Sequence, residues 1–299
     1  MIYMDTVMND PGNGDGNFKT HGKLSSLDRL VTYLKKEYGL VIDNRRRQML
    51  ATRLQNRILD MGFRDLETYA DYLMCKGGLQ NDLAELLNAT TTRTTSFFRE
   101  NAHFEFIQNT VLPELKQKSH HQKFSFRAWS AACSTGQEAY TLAMVLDHQK
   151  MVQSLNMDYR ITASDISEKA LSGIRSATYS RRDIKPIPEI LRKKYLLMSK
   201  NSLQPKYRIV NDLRDKIDIK VNNLGHETYT NIPKNQDVIM LRNVLIYFDH
   251  ETQLNVVRKI LNHLKSDGYL MLGHSESLPD YRALGLVSVA PATYQIKKN

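Results

Sequence analysis

The sequence predicts an α/β sheet with an antiparallel C-terminal hairpin, preceded by a small all-helical domain. Three observations predict it. A strand-like run at 124–129 passes through the small-residue bend Ala131-Ala132-Cys133-Ser134-Thr135-Gly136 into a helical run at 140–146. The segments 159–165 and 237–241 read as further strands, the second apolar on both faces as a buried parallel strand is. From Leu24 to about Leu87 the apolar spacing is helical throughout.

Composition bounds the rest. The 299 residues, 41% hydrophobic and 25% charged, can bury a real core in one large or two ordinary domains. No apolar run is long enough to span a bilayer, and the first residues lack a secretory pattern, so a cytoplasmic protein without membrane insertion is expected. Cys75 and Cys133 form neither a disulfide framework nor a metal-ligand pattern, and no metal is expected. The net charge of +10 suits an acidic partner, but charge does not choose among RNA, DNA, anionic lipid and an acidic protein surface.

In chain order, the glycine-rich residues 1–23 read as a disordered leader. The helical domain takes 24–88. In it Leu27, Leu30, Val31 and Leu34 share one helix face closed by Gly39, and Asp43 or Asn44 can cap the next helix. Arg46, Arg53 and Arg57 lie beside that second helix's core face, either as a solvated basic flank or as a docking ridge for an acidic helix. Residues 89–110 read as a linker and connecting helix, with Ser96 capping a helix from Phe97. Arg99, beside two phenylalanines, wants an anionic partner. The α/β domain fills 111–299, with a basic inserted subdomain at about 172–223 that includes strands at 207–210 and 217–221.

The polar residues at strand ends are the candidate site. A strand-to-helix bend lets a ligand meet backbone and helix N-terminus, and Ser134 or Thr135 can cap that helix. Asp165 ends the second strand, where an acid commonly accepts ribose hydroxyls. Arg242 and Asn243 follow the buried strand, at the edge where open α/β sheets bind ligands. The Gly273-His274-Ser275-Glu276-Ser277 run invites a hydrolase reading, but its members are adjacent and no G-x-S-x-G elbow is present. The arrangement is that of a methyltransferase rather than a dehydrogenase.

Five segments in order, Thr95-Ser-Phe-Phe-Arg99-Glu100, Trp129 to Tyr140, Ala163-Ser-Asp165, Leu241-Arg-Asn243-Val-Leu-Ile-Tyr247-Phe-Asp249 and Gly268 to Glu276, closely resemble the chemotaxis receptor methyltransferases, the CheR family. The resemblance covers roughly residues 25–297. It implies a Rossmann-like S-adenosylmethionine-dependent methyltransferase sheet, S-adenosylhomocysteine as product, and methyl-ester formation on glutamates of the cytoplasmic helical bundle of chemoreceptors. By motif position, Thr95, Arg99, Glu138, Asp165, Asn222, Asn223, Arg242 and Asn243 line the cofactor site, with Asn222 and Asn223 beside the adenine. Arg99 and Tyr247 face the methyl and the incoming carboxylate as the catalytic pair, and Arg46, Arg53 and Arg57 become a substrate-docking stripe. A monomer is expected, with no nucleic-acid partner. Arg93 stands where the family usually has Asn, Gln137 and Ala139 flank Glu138 where Glu and Pro are usual, and Leu241 replaces a cysteine. Two other readings carry less. A base N-methyltransferase would show Asn/Asp-Pro-Pro-Tyr where Arg242-Asn-Val-Leu stands, and a cofactor-sensing module without turnover has only Arg93 behind it.

Overall fold

The computed structural model describes residues 24–91, 94–120, 122–200 and 203–296, so the expected leader at 1–23 and Arg93 lie outside the described residues. Helix α1 (Ser26–Tyr38) starts where Ser25 accepts the Asp28 N–H and ends at Gly39, whose φ of 69° suits a residue without Cβ. Asp43 caps α2 (Asn44–Asp60). Helix α3 (Leu66–Cys75) opens on an Asp65/Thr68 capping box, and α4 (Leu79–Thr90) runs three residues past Leu87. That extra turn brings Thr90 to the edge of the site.

The expected helix from Phe97 does not form. Phe98 and Glu100 take φ of 54° and 53°, and residues 97–101 turn instead. The turn buries Phe97 against Tyr179 and lets the Phe98 N–H donate to Thr141 Oγ1 at 3.1 Å. Helix α5 (Ala102–Phe106) then continues through a π-turn (Ile107–Val111) into α6 (Leu112–Lys118). The helix crosses the boundary expected at 110, which is therefore no break in the chain.

Seven strands make the main sheet: β1 (Phe124–Ala131), β2 (Met157–Asp165), β6 (Ile217–Val221), β7 (Gln236–Leu241), β8 (Leu264–Leu272), β9 (Leu286–Ala290) and β10 (Thr293–Ile296). Their order is β6-β2-β1-β7-β8-β10-β9, parallel from β6 to β8 and antiparallel in the C-terminal hairpin. Connecting them are α7 (Gln137–Val152), α8 (Glu168–Ser176), α10 (Asn211–Arg214) and α11 (His250–Leu261). Between α8 and α10 lie β3 (Thr178–Ser180), α9 (Glu189–Tyr195), β4 (Leu196–Met198) and β5 (Lys206–Ile209), whose strands form a separate sheet in the order β3-β5-β4. The insertion is thus shorter than expected. Residues 217–221 are β6, a parallel edge of the main sheet paired with β2, because the chain returns through α10 to the same layer. Strand β8 begins at Leu264 and runs through Gly268 to Leu272.

Alternation along the strands divides two cores. Phe126, Ala128, Val238, Met240, Tyr269 and Met271 face one core with α7, α8 and the insertion. Trp129, Ala131, Ile239, Leu241, Leu270 and Leu272 face the other, which continues through α11 into Leu30, Leu50, Tyr69 and Leu86 of the helical domain. The helical domain therefore shares a core with the sheet. At the junction a Cβ on Gly225 would stand 2.7 Å from the Tyr38 carbonyl carbon, so only glycine permits that approach.

Candidate active site

Parallel strands β1, β2, β6 and β7 end on one side of the sheet, at the point where the chain order reverses about β1. Beyond β1 the bend Ala132-Cys133-Ser134 is tight, with φ of 60° at Ala132 and 51° at Ser134. Helix α7 has no side-chain cap. Its N-terminus begins at Gly136 (φ 94°), where a Cβ would lie 2.5 Å from Ile174, so the expected Ser134 or Thr135 cap is replaced by a glycine turn. Asp165 at the end of β2 accepts the Ser134 N–H and the Ser167 N–H, both at 2.9 Å, and so couples the two strand ends. Ser167, not Asp165, caps α8.

Two adjoining cavities open here. The larger encloses about 720 Å³ including its mouth, within the range of small-molecule sites. Asp165, Asn222, Asn223, Asn243 and Tyr247 line it together with Tyr38, Leu87 and Thr90 of the helical domain. The smaller is polar and lined by Thr95, Arg99, Glu138, Arg242 and Asn243 among others. The two share Ala132, Ser134 and Asn243, the first two on the bend after β1 and the third just past β7.

Charge is concentrated in the smaller cavity. Arg242, with a side chain 2% exposed, donates to Glu138 Oε2 and Glu100 Oε2 at 3.0 Å each, and to the Arg99 carbonyl. Burial pushes the Glu138 carboxyl above its usual range, against the pull of Arg242 and of the Ser130 hydroxyl that donates to it at 2.6 Å. Burial acts most strongly on Glu100 in the same sense, but Arg242 together with the hydrogen bonds from Asn243 and the His274 N–H outweighs it and holds that carboxyl low. Arg99 is less enclosed, donating to the Thr94 carbonyl at 2.7 Å.

Glu276 fixes the loop after β7. Its carboxylate accepts the N–H groups of Gly273 and Asn243 at 2.7 Å and of Leu245 at 2.8 Å. Asn243 is thereby held at φ 57°, and the short 3₁₀ turn Leu245–Tyr247 follows. The glutamate of the suspected hydrolase trio is thus a loop staple.

A family assignment rests on more than this geometry. The description "CheR methyltransferase, SAM binding domain" matches residues 93–292, and "CheR methyltransferase, all-alpha domain" matches residues 25–91. The chain belongs to the CheR methyltransferase family. It is 35% identical to the chemotaxis protein methyltransferase of Borreliella burgdorferi, over 91% of this chain and 94% of that one. It is 30% identical to the Escherichia coli protein of the same name over 83% of each, and 32% identical to that of Salmonella typhimurium over 83% and 82%. It is therefore an S-adenosylmethionine-dependent methyltransferase, as the resemblance implied.

The site of this CheR protein fits that cofactor. Ser134 Oγ and Asn222 Nδ2 are buried without a hydrogen-bond partner among the described residues, and both residues line the larger cavity. A nucleoside offers the donors and acceptors they lack. All eight residues assigned to the cofactor line one cavity or the other: Thr95, Arg99, Glu138 and Arg242 the smaller, Asp165, Asn222 and Asn223 the larger, Asn243 both.

The remaining expectations meet a more complex arrangement. Arg99 and Tyr247, expected to face one methyl group, line different cavities. The arginine stripe is no free ridge. Arg46 donates to the Val41 and Ile246 carbonyls and lies over the Tyr247 ring, Arg53 donates to the Ala89 and Thr91 carbonyls, and Arg57 pairs with buried Asp82. Sequence reasoning gave no role to Glu100 and read Ser134 only as a candidate helix cap, although both stand in the motifs it singled out. Thr90 and Leu87 carried no signal, since only packing brings α4 to the sheet.

Proposed function

We propose that this CheR protein transfers methyl groups from S-adenosylmethionine to glutamate side chains of chemoreceptors, in the cytoplasm, acting on their acidic helical bundle. The observation that carries the reading is the pair of cavities meeting at Ala132, Ser134 and Asn243. One is roomy and amide-lined, suited to a nucleoside, and the other is charged, suited to an amino-acid end. The bound cofactor supplies an electrophilic methyl on a sulfonium.

Asp165 is assigned to the ribose hydroxyls, Asn222 and Asn223 to the adenine edge, and Thr95, Glu138 and Arg242 to the methionine end. A glutamate with a pKa of about 4.3 is already ionised at neutral pH, so no general base is required. The chain's tasks are to align the carboxylate and exclude water. Asn243 stands where the cavities join, and Tyr247, 8% exposed, closes the larger one, so these two are suited to orient the incoming group. Arg99, with its side chain 36% exposed at the smaller cavity, is available to a carboxylate. Arg53 and Arg57 remain exposed on α2 despite their internal bonds, so they still offer positive charge to an acidic helix.

The test is incubation of the purified chain with methyl-labelled cofactor and receptor-containing membranes. Base-labile label on receptor glutamates supports the proposal. Proven cofactor binding without such label sinks it.

A further inference from the structure

We propose that Glu100, His103 and His274 form a binding site for a first-row divalent transition metal, zinc(II) foremost, against the wall of the charged cavity. Ligand atoms of the three lie within 4.8 Å of one another. Two imidazoles and a carboxylate are a donor set that zinc accepts, leaving a further position open. Closing to zinc–ligand lengths near ~2.1 Å asks each side chain to move by roughly an ångström. His274 is exposed on the loop after β8 and is free to supply most of that movement.

A second observation points the same way. His103 is 1% exposed, yet neither ring nitrogen makes a hydrogen bond of good geometry among the described residues. The Pro291 backbone is an acceptor near the ring, and it acts on the ring more weakly than Arg242, Glu100 or His274 does. Buried polar atoms without partners are rare in folded proteins and call for a ligand or a cost. The ring is instead aimed at the other two: its Nδ1 lies 3.9 Å from Glu100 Oε2, and the two imidazoles meet edge to face at 5.3 Å. Glu100 and His103 are three residues apart at the start of α5, while His274 comes from the far end of β8, so no spacing in the sequence announces the set.

The Arg242 guanidinium beside Glu100 opposes a cation. Glu138 on its other edge takes up part of that charge. Glu100 also accepts from Asn243 Nδ2 at 3.3 Å and the His274 N–H at 3.2 Å. A metal drawing on this carboxylate loosens the hold on Arg242 and Asn243, so occupancy weakens cofactor binding. That consequence rests on the cofactor assignment above; the binding of metal does not.

Titration of the full chain with zinc(II), followed calorimetrically, is expected to show one site. Cobalt(II) in its place is expected to show visible d–d absorption, and magnesium to show no binding. His274→Ala, on an exposed loop, keeps the fold and is expected to weaken zinc by about tenfold or more. Zinc is expected to lower cofactor affinity of the parent chain and to leave that of His274→Ala unchanged. Equal zinc affinity in His274→Ala and parent, or no zinc binding by the parent, overturns the proposal. Failure of both chains to bind cofactor in the absence of metal would count against the cofactor assignment alone.

Discussion

The two cavities are neighbours built on opposite principles. The larger is walled by apolar groups and neutral amides, with Asp165 as its anion, and both domains contribute to it. The smaller holds two arginines and Glu138 and is made by the α/β domain and the turn before α5. In the larger, Asn222 Nδ2 stands without a hydrogen-bond partner among the described residues, as does Ser134 Oγ where the two cavities meet. In the smaller, the charges satisfy one another through Arg242 before any ligand arrives. Neutral groups can be left open to a ligand at modest cost, whereas buried charges must be paired in the free protein.

Breaking the charged side has the largest expected effect. Arg242→Met leaves Glu100 and Glu138 without their shared cation, and urea unfolding is expected to show a loss of about 3–5 kcal/mol. The neutral side responds in binding rather than folding. Asp165→Asn keeps one acceptor but removes the charge that a ribose pair uses, and calorimetry is expected to show cofactor affinity down by about 10–100-fold, as for charged hydrogen bonds worth ~1.5–3 kcal/mol. Asn222→Ala sharpens the contrast further. Its amide nitrogen has no hydrogen-bond partner among the described residues, so the melting temperature is expected to hold while cofactor affinity falls by about 1 kcal/mol. A similar loss of stability in Asn222→Ala and Arg242→Met would erase the distinction.

The smallest effect concerns the seam that lets the helical domain wall the larger cavity. Asp249 caps α11 and pairs with Lys35 of α1 at 2.9 Å. Hydrogen bonds from Thr252, then Lys35, hold its carboxyl down at about 2 from the ordinary 3.8. A lowered folded-state pKa means that folding favours the ionised form. The contribution is therefore complete above pH ~4 and fades as the pH falls toward 2. Asp249→Asn keeps the cap and loses the charge, so its melting temperature is expected to lie slightly below the parent's at pH 7 and to converge with it by pH ~2. A constant gap across that range would assign the effect to the cap instead.

Much of this was legible in the sequence because it depends on local rules. The alternation in β1, the all-apolar β7 and the glycine after α1 follow from period and backbone sterics, which neighbouring residues report. Asp165, Arg242 and Asn243 were singled out because strand ends in open sheets put their polar residues on one edge, whereas the other assigned residues came from the family resemblance alone. The helix expected at Phe97 failed for a non-local reason: Glu100 is tied to Arg242, 142 residues away, and the turn that makes the tie breaks the helix. The arginines of α2 kept their helical spacing and changed their meaning. A projection shows which face a guanidinium occupies but not that Asp82 or the Ala89 carbonyl stands within its reach.

By itself, then, the sequence determined most of the elements and the polar residues at the ends of the parallel strands, since these are written in short-range pattern, while the assignment of the cofactor residues came from the family resemblance and stands as a proposal. Tertiary structure alone decided that β6 joins the main sheet, that the site is two cavities, that Arg242 is shared by Glu100 and Glu138, and that His274 meets His103. Those outcomes depend on which distant groups burial forces together, and the cost of leaving a buried charge or amide unpaired is set only when the chain has closed around it.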